Sequence, residues 1–251
     1  MKRILAVLAM VLVPASAFAV DGVVLISQAT VIASGGFPYT ITQPGSYRLS
    51  GNLTVPAGAN GILIATDNVT IDLNGFAMVG SGVAGHGIVA GTDAPVQGYF
   101  NITVRNGTIE TMGQDAIHLL GDNILVEYVR ARNNVLSGIV VRSPGFVNPA
   151  PGMAPQRSLI LRHNTIDHNG TYGFKTFGGL ITENTVTACN PGIAVLAGGG
   201  VVAKNLVSDS SAGLILAPTV SYYGNTLTGN ITNVLSGVNL GQNLCDTALC
   251  P

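Results

Sequence analysis

The chain reads as an all-β solenoid of about eight coils with a cap at each end, and three observations point that way. First, a small residue followed by alternating apolar residues recurs at Gly61, Gly87, Ala116, Gly138, Gly173, Gly192 and Gly213, at spacings of 26, 29, 22, 35, 19 and 21 residues. Segments that short, repeating about every 20 residues, bury an apolar face only by stacking on their neighbours. Second, asparagine returns at one place in successive repeats, as a stacked corner requires. Third, 47% of residues are hydrophobic, 9% are charged and 33 are glycine. That is too apolar for a disordered chain, and rich in the residue that turns most tightly.

Taken from the amino terminus, Lys2 and Arg3 precede an apolar run from Ile4 to Val13, and Ala17-Phe18-Ala19 offers small residues for cleavage. Residues 1–19 therefore read as a secretory signal, and the protein as exported, to the periplasm or the medium. The run is too short for a membrane span, which needs about 20 apolar residues, so no membrane insertion is expected. Residues 20–58, with the turn Gln43-Pro44-Gly45-Ser46, form a β-rich amino-terminal cap over otherwise open strand edges. The coils occupy 59–237, interrupted from Ser143 to Gln156 by a stretch with four prolines that suits an excursion beside a binding face. Residues 238–251 form the second cap, in which Cys245 and Cys250 are placed to close a disulfide loop. Cys189 lies inside a repeat and reads as a small buried residue.

Aligning the coils gives columns. Asn74, Asn164, Asn184, Asn205 and Asn225 share one, with Gly107 and Val129 in the intervening coils; Asn134 and Asn169 begin a second. Both suit amide ladders at tight corners. Asp72, Arg105, Glu127 and Arg162 form an outward charge column, as do Glu110, Arg132 and Asp167, and His163, Glu183 and Lys204. Alternating signs about 4.8 Å apart read as solvated charge ladders.

The repeat, the Gly-Ile-x-Val strands and the asparagine column resemble the right-handed parallel β-helix, or pectin-lyase-like, superfamily over about residues 58–235. The resemblance implies a right-handed parallel β-helix. It leaves function open, since pectate lyases, polygalacturonases, alginate epimerases and phage tailspikes share that fold. Gly85-His86-Gly87 and Lys175-Thr176 are similar to polygalacturonase motifs, but the coil that should supply paired aspartates reads Asn60-Gly61-Ile62. Tyr172-Gly173-Phe174 is similar to a segment of alginate epimerases and runs into Lys175-Thr176 instead of their Asp-Pro-His cluster.

On the first-strand face one outward column holds Asn60, His86, Asp115, Ser137, Tyr172, Pro191 and Ala212. The next holds Leu63, Val89, His118, Val140, Lys175, Ala194 and Ile215, and a third Leu120, Arg142 and Phe177. Polar residues thus gather on coils two to five, beside the excursion. The candidate catalytic residues are His118, Lys175 and Asp115; His86, Arg142, Tyr172 and Phe177 are the candidate substrate-binding residues. They suit a uronate-containing extracellular polysaccharide and, if the protein is an enzyme, a metal-free lyase: Arg142 or Lys175 neutralises a carboxylate, His118 takes the adjacent proton, and Asp115 and Tyr172 orient or protonate. The same residues also read as a surface ion pair of His86 with Asp115 beside solvated Lys175 and Arg142, on a structural or adhesion scaffold. One aspartate is too few for calcium, and three cysteines without a histidine pattern do not make a zinc site, so no metal and no cofactor are expected. Without Lys2 and Arg3 nine basic residues face twelve acidic ones, a charge of −3 that does not favour nucleic acid. An outer apolar column of Ala194, Leu196, Ile215 and Ala217 offers a face for oligomerisation.

Overall fold

A computed structural model describes residues 22–93, 96–143 and 158–250. The expected signal (1–19) and all of the excursion except Ser143 lie outside the described residues. The chain forms a parallel β-solenoid in which each turn contributes a strand to each of three faces. On the first face, eight in-register parallel pairings link nine strands, from Tyr39–Ile41 to Thr232–Leu235. That is one turn beyond the eight anticipated. The additional turn comes from the segment read as the first cap: Tyr39–Ile41, Gly45–Leu49 and Leu53–Thr54 pair in parallel with the next coil, as any other turn does. Ahead of them stand the strand Val23–Ile26 and a helix, Gln28–Ala33, capped by reciprocal hydrogen bonds between Ser27 and Thr30. Val31 of that helix is fully buried. No helix among the described residues is long and apolar enough to cross a membrane.

Period-two alternation sends every second side chain inward. Ile62, Ile88, Ile117, Ile139, Phe174, Ile193 and Leu214 lie in register and none is exposed. Each contributes about 1.5–3 kcal/mol by leaving water. The ladder at the second corner runs Asn164, Asn184, Asn205, Asn225 and on to Asn243; each side-chain Oδ1 accepts from the backbone N–H of the preceding rung at 2.9–3.0 Å. Asn74 does not belong to it. Four residues separate Asp72 from Ala77 where two separate Arg105 from Thr108, so Asn74 sits in a wider, exposed corner with φ 53°. The second ladder passes through Asn134 and Asn169 to Cys189, whose N–H donates to Ser210 Oγ, and ends at Asn230. Cys189 is therefore a buried rung, not only a packing residue.

The charge column is longer and drier than its sequence suggests. Arg48, Asp72, Arg105, Glu127 and Arg162 align, and Asp72 and Glu127 are each only 8% exposed. Arginine stems on the neighbouring coils cover these shorter carboxylates, which pair with Arg105 at 3.4 Å and Arg162 at 2.8 Å. At the carboxyl end a hairpin of Leu244–Cys245 with Ala248–Leu249 is closed by the Cys245–Cys250 disulfide. The outer apolar column is narrower than expected: Ala194 is fully buried between Lys175 and Ile215, while Leu196 is exposed.

Candidate functional site

The first face supplies the polar site. The N–H groups of Gly61, Gly87, Ala116 and Gly138 donate to the carbonyls of His86, Asp115, Ser137 and Tyr172, stacking this column rung by rung. His118 aligns with Val89 on one side and Val140 on the other, and Leu120 aligns with Arg142. Two apolar neighbours in its own column remove His118 from most of the solvent, although it points outward.

Asp115 is the centre. It is 5% exposed, and its two oxygens have separate partners: Oδ1 accepts the Ser137 N–H at 2.8 Å, and Oδ2 meets His118 Nδ1 at 2.8 Å. On the far side of the ring, His118 Nε2 lies 3.0 Å from Arg142 Nη2. Arginine can only donate, so Nε2 is the acceptor and the ring proton sits on Nδ1, aimed at Asp115. The hydrogen bonds thus have one polarity, from Arg142 to His118 to Asp115, with Ser137 closing the other end. Burial pushes the Asp115 carboxyl up. The hydrogen bonds from His118 and Ser137, with the pull of both imidazoles, outweigh it and hold the carboxyl below its ordinary range.

His86 is held differently. Asn60 Oδ1 accepts its backbone N–H at 2.8 Å, and Gly85 makes room for that amide, since a Cβ there would lie 2.1 Å from Asn60 Oδ1. The Asp115 N–H donates to His86 Nδ1 at 3.3 Å, and the ring packs on His118 at 4.7 Å between centroids. Burial and then the neighbouring His118 push the imidazole down to about 4, against the opposing pull of Asp115. His86 is therefore neutral at pH 7. The 3.5 Å between its Nδ1 and Asp115 Oδ2 is a contact of two acceptors, and the surface ion pair of the simpler reading does not form there.

His86, Asp115 and His118 place donor atoms within 4.8 Å of one another, an arrangement that the sequence reading, which expected no metal, did not foresee. Two imidazoles and a carboxylate suit a borderline divalent ion. Here His86 Nδ1, both Asp115 oxygens and both His118 nitrogens are already engaged in hydrogen bonds, and Arg142 adds a positive charge beside His118. The set fits a preorganised hydrogen-bond relay better than a cation.

Asp115, His118, Ser137, Val140, Arg142, Thr171, Tyr172 and Lys175 line a cleft of about 260 Å³, together with Leu136. Lys175 Nζ stands 4.8 Å above the Tyr172 ring, a cation–π contact, and Ser137 Oγ lies 2.8 Å from Thr171 Oγ1. Six of the seven proposed site residues thus converge: five line the cleft or its relay directly and His86 braces them. Phe177 follows the strand Phe174–Thr176, is half-buried and does not line the cleft. Asn60, Ser137 and Thr171 were not singled out as site residues; the column that contains Asn60 and Ser137 was the available signal. Tyr128, 53% exposed, was not singled out either.

No curated protein matches the chain. The family model described as the right handed beta helix region matches residues 40–212, more than half of the chain, and the protein belongs to that family.

Proposed function

We propose that this is an exported protein that contacts an acidic, uronate-containing polysaccharide through the first-face cleft. The observation that carries the reading is the pair of cations at the cleft wall, each held by a neutral ring: Arg142 by His118 and Lys175 by Tyr172. Asp115, the carboxylate in the lining, is turned inward to Ser137 and His118, so its charge does not oppose an arriving anion strongly. Guanidinium binds a carboxylate through two parallel hydrogen bonds, and the ammonium adds a second point charge one coil away.

A second reading is favoured by the tautomer of His118. A substrate carboxylate that draws Arg142 onto itself releases the Nε2 lone pair, so binding uncovers a base. Nε2 then takes the proton from the carbon next to the carboxylate, the C–H electron pair becomes the new double bond, and the C–O bond to the following sugar breaks. The departing oxygen takes a proton from the Tyr172 phenol. This is a metal-free β-elimination, with Asp115 stabilising the imidazolium.

Titration calorimetry of the full chain with polygalacturonate, alginate and a neutral glucan tests both readings. Contact with acidic polymer predicts binding to at least one polyuronate, weakening with salt and falling about tenfold in Lys175→Ala, the loss of about 1.4 kcal/mol. Ultraviolet absorbance of unsaturated product, lost in His118→Ala, marks elimination. Binding to neither polyuronate overturns both readings and leaves the structural or adhesion scaffold.

A further inference from the structure

The corner between the second and third faces holds one residue per coil in the left-handed region: Asn106, Tyr128, His163, Glu183, Lys204 and Gly224, at φ 55–63°. Asparagine and glycine occupy that region readily, whereas a bulky side chain there is an outlier. Tyr128 is also 53% exposed, so burial does not account for it. Its ring lies nearly parallel to the His163 imidazole of the next coil, 4.9 Å away at an interplanar angle of 13°, and His163 in turn meets Glu183 at 3.2 Å. One face of the ring is thus braced from the carboxyl side.

On the amino side lies a groove of about 380 Å³ lined by Gly75, Asn106, Gly107, Thr108, Tyr128 and Arg130. Gly107 lets the coils pack closely beneath it, since a Cβ there would meet Leu73 Cβ at 2.3 Å and the Phe76 carbonyl oxygen at 2.7 Å. In register, Thr108 faces Arg130 across one coil step. A rigid aromatic plate therefore stands over a shallow groove whose rim carries an amide, a hydroxyl and a guanidinium. The complementary ligand has a flat apolar face edged with hydroxyls, which is the description of a sugar ring.

We propose that Tyr128 and this groove form a second glycan subsite, in which a pyranose lays its C–H face on the Tyr128 ring and its hydroxyls or carboxylate meet Asn106, Thr108 and Arg130. The subsite lies on a different edge of the solenoid from the Asp115–His118 cleft and does not depend on that cleft's function. Arg130 favours an acidic sugar over a neutral one.

Saturation-transfer NMR and calorimetry with hexagalacturonate and cellohexaose, on the full chain, test it. Tyr128→Asn puts a residue suited to the left-handed region in place of tyrosine, so its melting temperature is expected to hold or rise while affinity falls by about tenfold or more. Arg130→Ala, at an exposed position, is expected to weaken hexagalacturonate more than cellohexaose. Lys175→Ala separates the two sites: binding that survives it and disappears on adding Tyr128→Asn supports the subsite. Wild-type affinity in both Tyr128→Asn and Arg130→Ala overturns it, even where Lys175→Ala abolishes binding and so upholds the first-face cleft. Absence of saturation transfer from the wild-type chain to either oligosaccharide overturns it as well.

Discussion

Replacing Asp115 by asparagine exchanges one carboxylate oxygen for an NH₂ and keeps the shape, so its consequences are set by hydrogen-bond polarity. In the native protein both oxygens accept, from the Ser137 N–H and from His118 Nδ1. An amide has one acceptor. If its oxygen stays on Ser137, its NH₂ faces His118 Nδ1, and the ring must move its proton to Nε2, where it confronts the Arg142 donor at 3.0 Å. If the amide turns over, the NH₂ confronts the Ser137 N–H at a 5% exposed site. Either arrangement leaves a donor opposed to a donor and removes a charge-assisted bond of about 1.5–3 kcal/mol. We expect Asp115→Asn to lower stability by about 2–4 kcal/mol, on the scale of a buried donor left unsatisfied. Urea unfolding reads the midpoint, and ¹⁵N spectra of the imidazoles read the tautomer. An Nε2-protonated His118 in the native protein, or an unchanged Nδ1–H tautomer and midpoint in the variant, would refute the reasoning.

Three further outcomes are expected. His86 has its folded-state pKa depressed to about 4 from an ordinary 6.5, so the stability its neutral form contributes is complete above about pH 6.5 and is lost as the pH falls towards 4; at about 1.4 kcal/mol per unit that is roughly 3 kcal/mol. The depressed Asp115 carboxyl acts with the same sign at lower pH. His86→Gln should flatten the midpoint-versus-pH curve over that window. Thr176 is fully buried and its hydroxyl has no hydrogen-bond partner, so Thr176→Val should raise stability by about 1–3 kcal/mol in urea titrations, whereas Thr176→Ser, which keeps the hydroxyl and loses the methyl, should lower it. Asn205→Ala removes the two Nδ2 protons shared among Ile181, Ala203 and Asn225 and two bonds accepted from Asn184; a loss of about 3–5 kcal/mol is expected from four buried bonds at roughly 1 kcal/mol each.

The architecture and the columns were legible in the sequence because both rest on local repetition. Alternation assigns each strand residue to the interior or the exterior one step at a time, and the recurring small residue marks where each coil restarts. That was enough to align Leu63 with Val89, His118, Val140 and Lys175, as the registers have it. It failed for Asn74, where two more residues widen the corner, and for Tyr39–Ile41, whose short strand pairs like the others but lacks their small leading residue.

An outward position is a statement about one strand; exposure depends on what stands in the coils above and below. Asp72, Asp115 and Glu127 all point away from the core and are all buried: Arg105 and Arg162, 33 and 35 residues on, cover Asp72 and Glu127, and Asp115 lies among His118, three residues on, and the coil-distant His86 and Ser137. The proton on His118, the neutrality of His86 and the braced ring of Tyr128 belong to the same class. Each is decided by a neighbour in the next coil, within hydrogen-bond or stacking distance in space and a full turn away along the chain. Strand direction and facing come from bonded geometry, which the order of residues already contains. Burial, tautomer and charge come from non-bonded distances, which exist only once the coils have stacked.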